Sequence, residues 1–179
     1  MTTSLAFTVI GPDRPGLVGR LAATVAEHDG NWLESRMAVL GGQFAGAVLA
    51  TVPDASSEAL RTALMDLEGE GLRIMVEAAP GEQLPRNYDR VRLDVFGQDH
   101  PGIVRDITRV LSENAVNISE METERSMGAM SAEAVFRLHA DIEIPENLAT
   151  DDLRLALERL AGDIMVDVEL AAESDGGKG

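Results

Sequence analysis

The chain has 179 residues, room for two small domains of roughly 80 residues each. It carries a formal net charge of −16 with 31 acidic against 15 basic residues, which argues against direct nucleic-acid binding and against anionic membrane surfaces. With no cysteine there are no disulfides, no thiolate chemistry and no Cys-based zinc site. Aromatics are 3% of the chain, so Leu, Val, Ala, Ile and Met must fill the core.

The first element is a strand in which Leu5, Phe7 and Val9 alternate with Ala6 and Thr8. A tight loop follows, G-P-D-R-P-G from Gly11 to Gly16, and then a helix with Leu17, Val18, Leu21 and Val25 at helical spacing. Asp13 is an N-cap residue type, and Pro15 suits a first helical turn. Gly11 is expected to take a positive φ. Gly16 removes a side chain where another group can approach the backbone. A helix start offers unpaired N–H groups and the positive end of the dipole, which suit a small carboxylate such as that of an amino acid. The glycines of one copy alone are explained first by a purely structural strand-to-helix turn.

His28-Asp29-Gly30-Asn31 reads as a turn, and Trp32 to Leu40 as a strand with Leu33, Met37 and Val39 on one face and Glu34 and Arg36 on the other. Gly41-Gly42 marks a hairpin. Phe44 to Val52 is small and apolar, as a central strand should be, and Pro53 stops it. Asp54, Ser56 and Ser57 supply caps for a second helix striped by Leu60, Ala63, Leu64 and Leu67, ended by Gly69 and Gly71. Leu72 to Ala78 is a last strand. Residues 81–90, with Gly81, Pro85 and Asn87, read as a linker between a first domain at 1–80 and a second at 91–171.

The plan then repeats. Gly97 to Glu120 aligns with Gly11 to Glu34 at an offset of 86, with the Gly, Asp, Pro, Gly, Val, Glu, Asn and Glu of each copy identical. So long a period means two related domains rather than a solenoid of short repeats. Val91, Leu93 and Val95 form the new first strand; Asp99 and Pro101 are the start signals; Ile103, Val104, Ile107 and Leu111 are the helical stripe. Ile118 to Arg125 is a polar strand with Glu120, Glu122 and Glu124 on one face, read as a solvated surface. Met127-Gly128 begins the turn. Ala132, Ala134, Phe136, Leu138, Ala140 and Ile142 alternate with more polar residues up to Pro145. Thr150 is expected to cap a helix with Leu153, Ala156, Leu157 and Leu160 inward and Gly162 at its end. Ile164 to Asp167 closes the sheet, and 172–179 is expected to be a disordered tail.

Each half is therefore α+β in the order β-α-β-β-α-β, a ferredoxin-like unit: a four-stranded antiparallel sheet with two helices on one face. The strands beginning at Asn31 and Asn117 fall at sheet edges, where two units can pair edge to edge.

The duplicated G-x-D-x-P-G loop, the helix and the Asn heading the next strand resemble the ACT domain, a regulatory amino-acid-binding module. The stretch from Asn31 to Phe44 resembles more closely the glycine cleavage system transcriptional repressors, tandem ACT proteins without a DNA-binding domain. The resemblance implies a small amino acid, glycine or similar, as effector, bound where one unit's loop meets another unit's edge strand. It also implies a LysR-type transcriptional activator as protein partner. The implied ligand-binding residues are Gly11, Asp13, Arg14, Gly16, Leu17 and Asn31 in the first copy and Gly97, Asp99, His100, Gly102, Ile103 and Asn117 in the second. The loop departs from the serine-binding ACT pattern, with Asp13 and Asp99 where those carry Asn and Gly11 and Gly97 where they carry His. Asp can hold an α-ammonium group or cap its helix; Asn31 and Asn117 can contact ligand or serve the turn.

No metal site and no cofactor are expected, since His28, His100 and His139 lack ligand-spaced partners. There is no G-x-S-x-G elbow and no phosphate-binding P-loop, and the reading is of a non-enzyme. Without a signal segment or membrane span the expected location is the cytoplasm, with homo-oligomers possible.

Overall fold

The computed structural model describes residues 1–79, 88–127, 134–160 and the strand 164–170. The chain divides into two compact units, Met1–Leu84 and Pro85–Gly179. The first contains β1 (Thr2–Pro12), α1 (Leu17–Glu27), β2 (Asn31–Leu40), β3 (Gln43–Pro53), α2 (Ser57–Asp66) and β4 (Arg73–Ala78), with short 3₁₀ turns at Asp54–Ser56 and Leu67–Glu70 flanking α2. The second contains β5 (Tyr88–Gln98), α3 (Ile103–Glu113), β6 (Asn117–Met127), β7 (Ala134–Pro145), α4 (Thr150–Glu158) and β8 (Ile164–Leu170).

Both sheets are antiparallel and share one order, β2-β3-β1-β4 and β6-β7-β5-β8. This is the ferredoxin-like arrangement, and β2 and β6 are edges as expected. The cores follow the alternation. Leu5, Phe7 and Val9 of β1 meet Leu17, Leu21 and Val25 of α1 and Leu60 and Leu64 of α2, all nearly inaccessible. Val91, Leu93 and Val95 of β5 meet Ile103, Ile107 and Leu111 of α3 and Leu153 and Leu157 of α4. Burying each such side chain contributes about 1.5–3 kcal/mol, so these two clusters carry most of the stability of their units.

Several local expectations are corrected. Leu33 does not face the core. A β-bulge between Trp32 and Glu34 shifts the phase of β2, leaving Leu33 exposed while Trp32 and Met37 pack on the core. Trp32 meets Phe7 edge to face, with ring centroids 6.0 Å apart. The same bulge recurs between Ile118 and Glu120. Thr150 is the first residue of α4 rather than its cap; that position is Ala149, with no side-chain cap bond. Ser56 stands at the N-cap of α2 without a side-chain bond; Thr3 Oγ1 donates to Asp54 at 2.8 Å, and Ser57 Oγ donates to Asp54 O. β5 begins at Tyr88, inside the stretch read as linker, because its pairing with β7 runs out to Pro145. Gly81, Pro85, Asn87, Gly128, Ala132, Gly162 and the tail lie outside the described residues.

Candidate functional site

In the first unit, β1 carries the chain to Pro12, and the Asp13 N–H donates to Gly42 O at 3.1 Å, tying the loop to the β2–β3 hairpin. The residue that opens α1 is Gly16, in the left-handed region at φ 91°, with its carbonyl accepting from Arg20 N at 2.9 Å. No side chain caps this helix. Asp13 is therefore not the N-cap, and Pro15 stands before the helix rather than in its first turn. The cause is the left-handed Gly16: it turns the chain into the helix one residue after Pro15, so the cap position falls on a residue with no side chain. The second unit repeats this at Gly102, at φ 94°, whose carbonyl accepts from Asp106 N, so Asp99 and Pro101 are corrected in the same way.

Gly11 and Gly97 do not take a positive φ. They are strand residues, paired with Phe44 and Phe136. Gly11 is required for space: a Cβ there would lie 2.7 Å from Leu72 Cδ2 and 3.0 Å from Gly71 O. The freedom of glycine is used instead at Gly16 and Gly102. Around Gly16 nothing lies within 4 Å of an added Cβ. Leu17 and Ile103 anchor their helices in the cores, each 4% exposed.

The first-turn amides of a helix have no intrahelical partner, and an uncapped start leaves them to an external acceptor. With the dipole, such a start suits a small anion in the first unit, whereas in the second the Ile103 N–H already donates to His100 O at 3.3 Å. In the first unit an exposed carboxylate, Asp13, sits three residues before the cap with no side-chain partner among the described residues. Arg14 is already engaged within the unit. It donates to Glu70 O at 2.8 Å and approaches Glu70 Oε2, which shares its carboxylate with Arg20 as well. Asn31 heads β2, exposed, opposite Thr51.

The second loop is more covered. Asp99 Oδ2 accepts from Arg125 Nε at 2.6 Å, and Asp99, His100 and Gly102 are half-buried where Asp13, Arg14 and Gly16 are exposed. Arg105 lies over the glycine, with Nη2 3.0 Å from where a Cβ of Gly102 would stand. Arg105 also donates to Asp106, and that hydrogen bond holds the Asp106 carboxyl below the usual range. His100 Nδ1 approaches Pro101 O at 3.3 Å, and Asn117 Nδ2 donates to Glu143 Oε2 at 3.1 Å. Left-handed turn residues precede both strands, but they are Asp29 and Ala115, not Asn31 or Asn117.

Glu70 and Arg125 were not foreseen from the sequence. Glu70 lies too far along the chain for any local pattern to link it to the loop. Arg125 had a faint signal, since at the offset of 86 it aligns with Val39, a charge in place of an apolar residue, though several neighbouring pairs differ as much.

The ACT-domain family model matches residues 3–77, and a second ACT-domain model matches residues 91–160. The chain belongs to the ACT-domain family, twice over. This tandem ACT protein is similar to a structure of an unknown protein from Galdieria sulphuraria, at 30% identity and TM-score 0.81, covering 96% of this chain and 100% of that one. It shares its fold with a structure provisionally described as a glycine cleavage system transcriptional repressor, at 18% identity and TM-score 0.70, covering 97% and 99%. A search of curated proteins finds no match.

Away from the loops, the second ACT unit has an open depression of 490 Å³ on the sheet face opposite its helices, lined by Arg92, Asp94, Glu120, Glu122, His139 and Asp141. These charges largely answer one another. Asp94 contacts His139 Nδ1, and Arg92 lies 4.0 Å from Asp141. Among the described residues no group of three or more His, Asp or Glu side chains is arranged to hold a metal, and no helix is long and apolar enough to cross a membrane.

Proposed function

We propose that this tandem ACT protein is a non-enzymatic, cytoplasmic amino-acid sensor that regulates a glycine cleavage system through a protein partner. The observation that carries this reading is the first loop: an uncapped helix start at the left-handed Gly16, open space around it, and an exposed Asp13 three residues before the cap. The amides suit a carboxylate and Asp13 suits an ammonium group, which together describe a small zwitterion. Glycine is the first choice by likeness to the glycine cleavage repressors, and a LysR-type activator is the partner by the same likeness. The charge of −16 supports a protein partner over DNA. Regulation then requires the amino acid to favour one partner-binding state over another.

Calorimetric titration of each of the twenty amino acids into the full chain tests this. One small amino acid is expected to bind and to raise the melting temperature; at a hundredfold excess over its Kd the stabilisation is about 2.7 kcal/mol. Silence from all twenty at millimolar concentration removes the sensing claim.

A second reading, a ligand-independent interaction module or regulatory subunit of an amino-acid metabolic enzyme, is favoured by one observation. The outer face of the first sheet is uncharged along its two central strands, with Ile10 and, on the neighbouring strand, Met75 exposed. Gly16→Leu separates the two readings, since only the sensor loses a ligand response while keeping its fold.

A further inference from the structure

The two loops differ at one register position. Gly11 pairs with Phe44, which pairs with Val39; Gly97 pairs with Phe136, which pairs with Arg125. Val39 and Arg125 therefore occupy the same place on the edge strand beside the loop. From that place Arg125 reaches Asp99 at 2.6 Å, while Val39 offers Asp13 nothing polar. The loop aspartate is thus internally neutralised in the second unit and open in the first. Arg105 over Gly102 adds to the cover, where the counterpart residue beside Gly16 is Gly19.

We propose that the two ACT loops are unequal by construction: the first is the amino-acid site, and the second is closed by its own Arg125, which takes the place on Asp99 that a ligand ammonium group would need. The inference rests on the sensing function above and deepens it. One chain then carries one working site, and the second unit keeps the loop's shape without its vacancy. Because the Arg125 side chain is exposed, closure is a competition and not a wall. A surface ion pair of this kind weakens a competing ammonium by up to about fivefold.

Reciprocal exchange at this position is the test, using each of the twenty amino acids as probe with the full-length chain. Both positions are exposed on edge strands, and circular dichroism checks that each variant keeps its fold. The wild type is expected to take up one equivalent. Arg125→Val should tighten a second, weaker equivalent about fivefold, and Val39→Arg should weaken the first by a similar factor. Two equal sites in the wild type, unmoved by Arg125→Val, would overturn the inequality and leave the sensing function standing. Loss of the single equivalent in Arg125→Val, with Val39→Arg silent, would also overturn it. If no amino acid binds either the wild type or Arg125→Val, the sensing function falls and this inference with it.

Discussion

The two units use one fold to present different surfaces. On the face of the first sheet away from its helices, the central strands show Ala6, Thr8 and Ile10 beside Leu49, Ala47 and Ala45, with charge confined to the edges at Glu34, Arg36, Arg73 and Glu77. On the second, the matching central positions are Arg92, Asp94 and Phe96 beside Asp141, His139 and Arg137, flanked by Glu120, Glu122 and Glu124. The buried inward positions of both sheets are apolar, mostly aliphatic with Phe7, Phe44 and Phe136 among them. A core asks only for apolar volume at the right period, whereas an exposed face is free to diverge. The loops show the same division: each helix opens at a left-handed glycine, and what differs is the edge-strand side chain beside it.

The comparison is broken most forcefully by cutting one core at a time. Leu64 and Leu157 stand at equivalent places in the second helix of each unit, at 0% and 1% exposure. Each Leu→Ala exchange should cost about 2–5 kcal/mol. The chain has a single tryptophan, Trp32, packed on the first core, so its fluorescence reports that unit. Leu64→Ala should lower the urea midpoint of the Trp32 signal. Leu157→Ala should shift the far-ultraviolet dichroism transition and leave the tryptophan midpoint in place. A tryptophan shift in Leu157→Ala would mean that the cores are not self-contained.

A smaller effect sharpens the reading of the loop. Gly11→Val should destabilise the first unit by about 1–3 kcal/mol, because its Cβ meets Leu72 and the Gly71 carbonyl. At Gly16 the space is open and only the positive φ resists a side chain, so Gly16→Ala should cost about 1 kcal/mol. Urea unfolding followed at Trp32 measures both. The opposite ranking would mean that backbone conformation, not crowding, is the reason for Gly11.

What could be read from the residues was what repeats at a short period. Leu60 and Leu64 gave the buried stripe of α2, continued by Leu67 in the 3₁₀ turn that follows, and the alternation from Phe136 to Ile142 gave β7, because burial imposes those spacings wherever the element lies. The loops from Gly11 to Leu17 and from Gly97 to Ile103 do open the two helices, but several of their residues were given wrong parts. Asp13 and Asp99 are cap-type residues three positions before the cap, and local preference cannot tell that Gly16 and Gly102 take it. The roles of Glu70 and Arg125 depend on contacts 56 and 26 residues away in sequence, which no local pattern encodes.

The smallest predicted effect tests a place where periodicity misled. Unbroken alternation along β2 puts Leu33 in the core, where Leu→Ser would cost several kcal/mol by loss of burial and by a hydroxyl without a partner. The bulge instead places Leu33 at 49% exposure, and the matching residue in β6, beside the same bulge, is Ser119. Leu33→Ser therefore installs in the first unit what the second already tolerates. It should change stability by no more than about 0.5 kcal/mol, as surface substitutions do. Urea unfolding at Trp32, one residue away, is sensitive to any disturbance of the bulge. A loss on the scale of a core substitution would show that Leu33 is inward in solution and that the two edge strands do not share their bulge.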